Sequence, residues 1–227
     1  MTSPTTRWHL LRDGDAVARD AADRILRTAD QAISQRGVFR IVLAGGRTPE
    51  RAYRLLVTAD TEWERWAVYF GDERCLPPED SERNSLMAEN AWLGRIPIPR
   101  ENIYPIAAEK GAETAARAYE VKIKKVLPFD LVLLGVGEDG HTASLFPGQK
   151  HPDAELVHAV HNAPKPPPDR VSLSVRALSD AHQVLMLVTG ASKRDAIQTW
   201  KRGGDLPVAA VRGHTGVDVL LDQDAAV

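Results

Sequence analysis

Residues 131–148 read Leu-Val-Leu-Leu-Gly-Val-Gly-Glu-Asp-Gly-His-Thr-Ala-Ser-Leu-Phe-Pro-Gly. An apolar run stops at Leu134 and gives way, by residue 141, to three glycines, two acids and a histidine. This pattern predicts a buried strand that empties into a tightly folded loop. In open α/β sheets, ligands sit just beyond the carboxyl ends of the strands. His141 therefore lies where chemistry is done. Asp139, just before it, is a candidate orienting acid, and Asp72 is another.

The segment Gly135-Val-Gly-Glu-Asp-Gly140 formally matches the dinucleotide pattern G-x-G-x-x-G. That fingerprint needs a long helix directly after it and an acid at the end of the next strand. Here Pro147-Gly148 cuts the following run short, so the dinucleotide reading is rejected. The loop also lacks the lysine of a triphosphate-binding loop.

Outward from this strand, apolar stretches alternate with helical patterns. Val17, Ala21, Ile25, Ala29 and Ile33 recur every four residues, which predicts a helix from 13 to 36 with Gly37 as its stop. Residues 38–43 predict a strand. Thr48-Pro49 predicts a cap and first turn of a helix through Leu56. Residues 66–70 form another predicted strand, and Ser81 a cap for a helix through Met87 and Trp92. A helix over 112–126, strands at 130–134, 171–175 and 184–188, and a helix ending near Lys201 complete the reading. Such alternation predicts an α/β fold with a mostly parallel sheet flanked by helices. Residues 164–168 predict an extended, exposed connection, and residues 1–8 and 223–227 are expected to fray. No repeat or domain boundary is visible, so residues 1–227 read as a single domain.

Composition narrows the function classes. The chain has 227 residues and a formal net charge of −2, with no Lys/Arg run, which argues against nucleic acid as a partner. The N-terminus lacks an apolar signal core and no apolar run reaches membrane-spanning length, so the expected location is cytoplasmic. The one cysteine, Cys75, excludes an internal disulfide and is read as packing. Without a Cys/His cluster no metal is expected. His9, His151, His158, His161, His182 and His214 lack a comparable setting and are taken as structural or surface residues. Trp63, Trp66, Trp92 and Trp200 are taken as core or interface.

Several strands end in unusual loops, and a parallel sheet brings such loops to one edge. Gly45-Gly46-Arg47-Thr48-Pro49 suits an anion, because glycines allow close backbone approach and a helix N-terminus offers unpaired N–H groups. Arg74, after Gly71-Asp72-Glu73, and Lys193, after Thr189-Gly-Ala-Ser, add cations. A planar fork, a point charge and backbone donors together suit a phosphate. His141, titrating near neutrality, suits proton transfer from water. The residues alone thus point to metal-free acid/base chemistry on a small phosphorylated substrate.

The motifs at 45–49, 71–77 with Arg83-Asn84-Ser85, 135–147, 165–173 and 189–193 closely resemble the 6-phosphogluconolactonase family. The resemblance runs in order from about residue 40 to Pro207, and its most specific part is Asp139-Gly-His-Thr-Ala-Ser-Leu-Phe-Pro147. It implies a Rossmann-like sheet of the sugar-phosphate isomerase type, shared with glucosamine-6-phosphate deaminase. It implies hydrolysis of 6-phosphoglucono-1,5-lactone in the oxidative pentose phosphate pathway, with no cofactor. It also implies His141 as base with Asp139 beside it. Gly45, Gly46, Arg47, Thr48, Asp72, Arg74, Arg170 and Lys193 would bind the substrate and its phosphate. Two alternatives stay open: a deaminase or isomerase on the same fold, or a non-enzymatic sugar-phosphate sensor. The deaminase-type relatives carry a glutamate soon after the histidine, whereas residues 142–147 contain no acid. Oligomeric state, monomer or dimer, is not legible.

Overall fold

The computed structural model describes residues 5–150, 152 and 154–227. His151 lies outside the described residues. Among the described residues ten strands are present: β1 (Thr6–Leu11), β2 (Phe39–Leu43), β3 (Trp66–Phe70), β4 (Asp72–Arg74), β5 (Ile103–Tyr104), β6 (Phe129–Gly135), β7 (Val157–Val160), β8 (Arg170–Leu173), β9 (Ala181–Val188) and β10 (Val217–Asp222). The helices are α1 (Gly14–Arg36), α2 (Arg47–Leu56), α3 (Asn84–Ala91), α4 (Ala112–Ile123), α5 (Val175–Ser179), α6 (Arg194–Lys201) and α7 (Pro207–Ala210). No described helix is long and apolar enough to cross a membrane.

Seven strands form one sheet in the order β1-β10-β9-β6-β2-β3-β5, every pair parallel. Its central strands are buried on both faces, which is why β3 and the 131–134 stretch of β6 read as unbroken apolar runs. Helix α1 follows its sequence signals. Asp13 accepts the Ala16 N–H at 2.8 Å, Gly37 stops the helix at φ 74°, and Val17, Ala21, Ile25 and Ala29 are buried. Trp63, Trp66 and Trp92 pack with Tyr53 and Phe39 in the core, and Trp200 meets Trp8 edge-on with ring centres 4.8 Å apart.

The structure corrects five expectations. The stretch read as a strand at 171–175 does not join the parallel sheet. Residues 170–173 form β8 in a separate antiparallel sheet, β4-β8-β7, and Val175 opens helix α5 behind the Ser174 cap. Asp72–Arg74, expected as a loop, is β4 of this second sheet. Helix α2 is capped by Gly46 at φ 101°, not by Thr48, which lies inside the first turn. Helix α3 begins at Asn84, not after Ser81, because the Glu73 carboxylate takes the N–H groups of Asn84 and Ser85, each at 2.8 Å. The described ends are tied down. Residues 6–8 belong to β1, and Ala225 is buried with its N–H on Asp222 at 2.8 Å.

Candidate active site

Loops leaving β2, β6 and β9 meet the second sheet around a cavity of about 330 Å³. Its lining includes Gly45, Gly46, Asp72, Arg74, His141, Arg170 and Lys193. An adjoining cavity of about 460 Å³ shares Gly45, Gly46 and Lys193 and adds Arg47 and Thr48. Residues spread over some 150 positions of sequence are thus brought to one cleft. The Thr48 and Thr189 hydroxyls meet at 2.6 Å, joining the loop after β2 to the loop after β9.

His141 is held from three directions. Its Nδ1 lies 2.5 Å from Asp139 Oδ1, which also accepts the His141 N–H at 3.1 Å. Its carbonyl accepts the Gly137 N–H at 2.8 Å. Its ring packs against Phe146 with centres 4.7 Å apart. Gly137 is required by contact: a Cβ there would lie 2.0 Å from His141 Nδ1. Gly140, at φ 83°, makes the turn that brings the histidine back. Burial pushes the His141 pKa below its ordinary value, although the Asp139 carboxylate acts in the opposite sense. Burial alone would raise the Asp139 carboxyl, but its bonds to the His141 ring and N–H hold it below the ordinary range. Asp139 stands behind the imidazole and is absent from the cavity wall.

Asp72 faces the cavity but is almost fully buried. Its Oδ2 accepts the Ser144 hydroxyl at 2.6 Å and its Oδ1 the Asn84 amide at 3.0 Å. Asn84 also presses on the loop after β2, where a Cβ at Gly45 would lie 2.0 Å from its Oδ1. Behind them Glu73 and Arg83 are buried side by side at 3.5 Å, and Arg83 continues to Glu109 at 2.9 Å. A buried acid with several donors fixes geometry more than it adds stability.

The cations differ in what they are free to do. Arg74 donates Nη1 to the Glu82 carbonyl. Arg170 donates Nε to Pro167 O at 3.1 Å and Nη2 to the carbonyls of Lys165 and Pro166, both at 2.9 Å. Lys193 lines both cavities, and burial lowers its pKa. The Cys75 thiol is pushed up to about 11, chiefly by burial, which suits packing rather than nucleophilic attack.

Three residues were missed as site members by the sequence reading: Asn84, Ser144 and Lys165. Asn84 and Lys165 sit inside motifs that were singled out, yet neither shows a pattern of its own. Ser144 is visible only as a polar residue after the histidine.

Comparison with known proteins places the chain. The family model for glucosamine-6-phosphate isomerases/6-phosphogluconolactonase matches residues 12–220. The 6-phosphogluconolactonase of Mycobacterium tuberculosis is 35% identical, the alignment covering 94% of each chain. That of Streptomyces coelicolor is 35% identical over 99% of this chain and 95% of its own. Among solved structures, the 6-phosphogluconolactonase of Thermotoga maritima superposes with a TM-score of 0.91 at 29% identity, covering 96% of this chain and all of its own. A monomeric glucosamine-6-phosphate deaminase shares the fold, at 22% identity and a TM-score of 0.84 over 96% and 98% of the two chains. The chain belongs to the glucosamine-6-phosphate isomerase/6-phosphogluconolactonase family.

Proposed function

We propose that this chain hydrolyses 6-phosphoglucono-1,5-lactone to 6-phosphogluconate, the lactonase step of the pentose phosphate pathway, with His141 as the general base. The observation that carries the reading is one cavity holding a half-buried, carboxylate-oriented histidine together with Lys193 and the glycine loop at Gly45 and Gly46. The relatives' names give the substrate class, and residues 1–227 act as one lactonase unit. We place the activity in the cytoplasm, on a small sugar phosphate rather than nucleic acid.

The lactone is an activated ester, so a bound water suffices as nucleophile. With Nδ1–H donated to Asp139, Nε2 keeps the lone pair and takes a proton from that water as it attacks C1. The C1 oxygen becomes an oxyanion, for which N–H groups of the glycine-rich loops are the candidate donors. The imidazolium then returns its proton to the leaving ring oxygen. Lys193, Arg74 and the N–H groups at the start of α2 anchor the phosphate and hold C1 near the base. Arg47, Thr48 and Asp72 complete the substrate pocket in this reading, and Arg170 shapes its wall.

The deaminase alternative needs a further acid for proton transfer between C1 and C2. The side chains following His141 are already engaged: Thr142 donates to Gly135 O at 2.8 Å and Ser144 to Asp72 at 2.6 Å. A direct assay decides. Freshly made 6-phosphogluconolactone should disappear faster than in buffer, and glucosamine 6-phosphate should release no ammonia. Enzyme-dependent ammonia with lactone decay at the buffer rate would overturn the reading.

A further inference from the structure

Four cationic side chains line the cavity that holds His141: Arg74, Lys165, Arg170 and Lys193. They divide into two kinds. The arginines are register partners across β4 and β8 and commit donors to backbone carbonyls. The lysine ammonium groups make no hydrogen bond among the described residues. Among those residues, Lys165 Nζ has Glu138 alone as an ion-pair partner, 3.9 Å from Oε2.

Lys165 sits on the proline segment that links β7 to β8. That segment has no strand partner of its own, yet it is firmly held. The buried Arg170 guanidinium grips the carbonyls of residues 165, 166 and 167, and rests over the Phe146 ring at 5.5 Å. The Ala163 N–H closes the segment on Pro168 O at 2.9 Å. A five-donor planar fork is suited to collecting several carbonyls at once, which an ammonium cannot do in the same way. The result is a held strap that presents one ammonium to the cavity that Lys193 also lines.

The two ammonium groups are within electrostatic reach: after burial and Glu138, Lys165 is the next largest influence on Lys193, and it disfavours charge there. Two unbonded cations facing one cavity repel each other unless an anion lies between them. A dianion of phosphate size removes that repulsion and uses both sets of donors.

We propose that Lys165 is a substrate-binding residue, forming with Lys193 a two-lysine clamp on the substrate's phosphate, and that Arg170 is the positioning residue that sets Lys165. The clamp rests on the lactonase reading for the identity of the phosphate ester, but not for its chemistry.

The test uses K165M, K165R, R170K and the double variant K165M/R170K in the full chain. Steady-state hydrolysis is measured on 6-phosphogluconolactone and on unphosphorylated glucono-1,5-lactone. K165M should raise KM for the phosphorylated lactone about tenfold or more, the worth of one charge-assisted hydrogen bond, with kcat changed far less. Its loss on the unphosphorylated lactone should be much smaller, and K165R should recover most of the affinity. R170K should move KM in the same direction, and the double variant should be no worse than K165M alone. Equal losses on both lactones, or an unchanged KM in folded K165M, would remove Lys165 from the phosphate site. A double variant with fully additive losses would remove Arg170 from the positioning role. Calorimetric titration with 6-phosphogluconate separates this from the lactonase reading. If the wild type does not speed lactone decay, the lactonase reading fails, and the clamp still stands or falls on whether K165M weakens that binding.

Discussion

The two sheets furnish their sides of the cleft by different rules. The seven-stranded sheet does so through loops: parallel strands all end on one edge, and glycines at 45, 46, 137 and 140 let the chain turn back tightly there. The three-stranded sheet does so through register. Arg74 stands opposite Arg170 and Asp72 opposite Ser172, so each side chain points where the antiparallel ladder aims it. A loop-built site depends on space beside the backbone. A register-built site depends on what fills the buried polar partners behind it.

The loop side should be the more fragile to chemistry. His141→Ala should lower lactone hydrolysis by about two to four orders of magnitude while the fold survives, the range expected for a lost general base. A circular dichroism spectrum and the rate corrected for spontaneous decay check both halves. Near-normal activity would make the glycine loop a binding element only. Next in size is Gly137→Ala. Its Cβ would fall on the imidazole at 2.0 Å, so the ring must move. A displacement near 1 Å costs on the order of 100-fold. An intact rate in that variant would show that the ring need not sit where Gly137 puts it.

A third, smaller effect sharpens the role of Asp139. The active form of the base is neutral, so activity should rise with pH through the His141 pKa. Burial depresses that pKa, so the midpoint of the rise should lie below the ordinary histidine value, about 6.5. Asp139→Asn removes a carboxylate that favours the imidazolium, so the rise should move to still lower pH. The plateau rate should fall by about tenfold, the worth of one charge-assisted hydrogen bond. A shift toward higher pH would contradict the assigned sign. The smallest change in rate belongs to the register side. Ser144→Ala leaves Asp72 Oδ2 without its buried donor and should cost about 1–3 kcal/mol of stability in urea unfolding, with a modest change in activity. A loss of rate as large as that of Gly137→Ala would mean that both sides act as one unit.

The same contrast explains what was legible in the sequence. The central parallel strands announce themselves as apolar runs, and the loop after β6 as an abrupt change of composition, so His141 and Asp139 could be picked out directly. β4 and β8 are short, and their partners lie about a hundred residues apart, so nothing local distinguishes them from a loop or from a strand of the main sheet. β1 and β10 were hidden for a related reason: they pair with each other across 211 residues, and β1 is an edge strand with both Arg7 and Leu10 exposed. Asn84 became visible only through what it touches, the Gly45 backbone and Asp72. Lys165 is an unremarkable lysine until the Arg170 guanidinium is seen holding its carbonyl.

The pairing of β1 has a consequence for how the polypeptide is made. Its neighbour in the sheet is β10, and the Arg7–Asp218 contact between them spans 211 residues. During synthesis, β1 is made well before β10 and waits for it while the residues between them are translated. The emerging chain must keep Trp8 and Leu10 from premature association throughout that interval, and the sheet cannot close on that side until β10 has emerged. Long-range pairing of this kind slows folding. Arg7 and His9, alternate residues on one side of the waiting strand, make that side polar, a protection against sticking to other nascent chains.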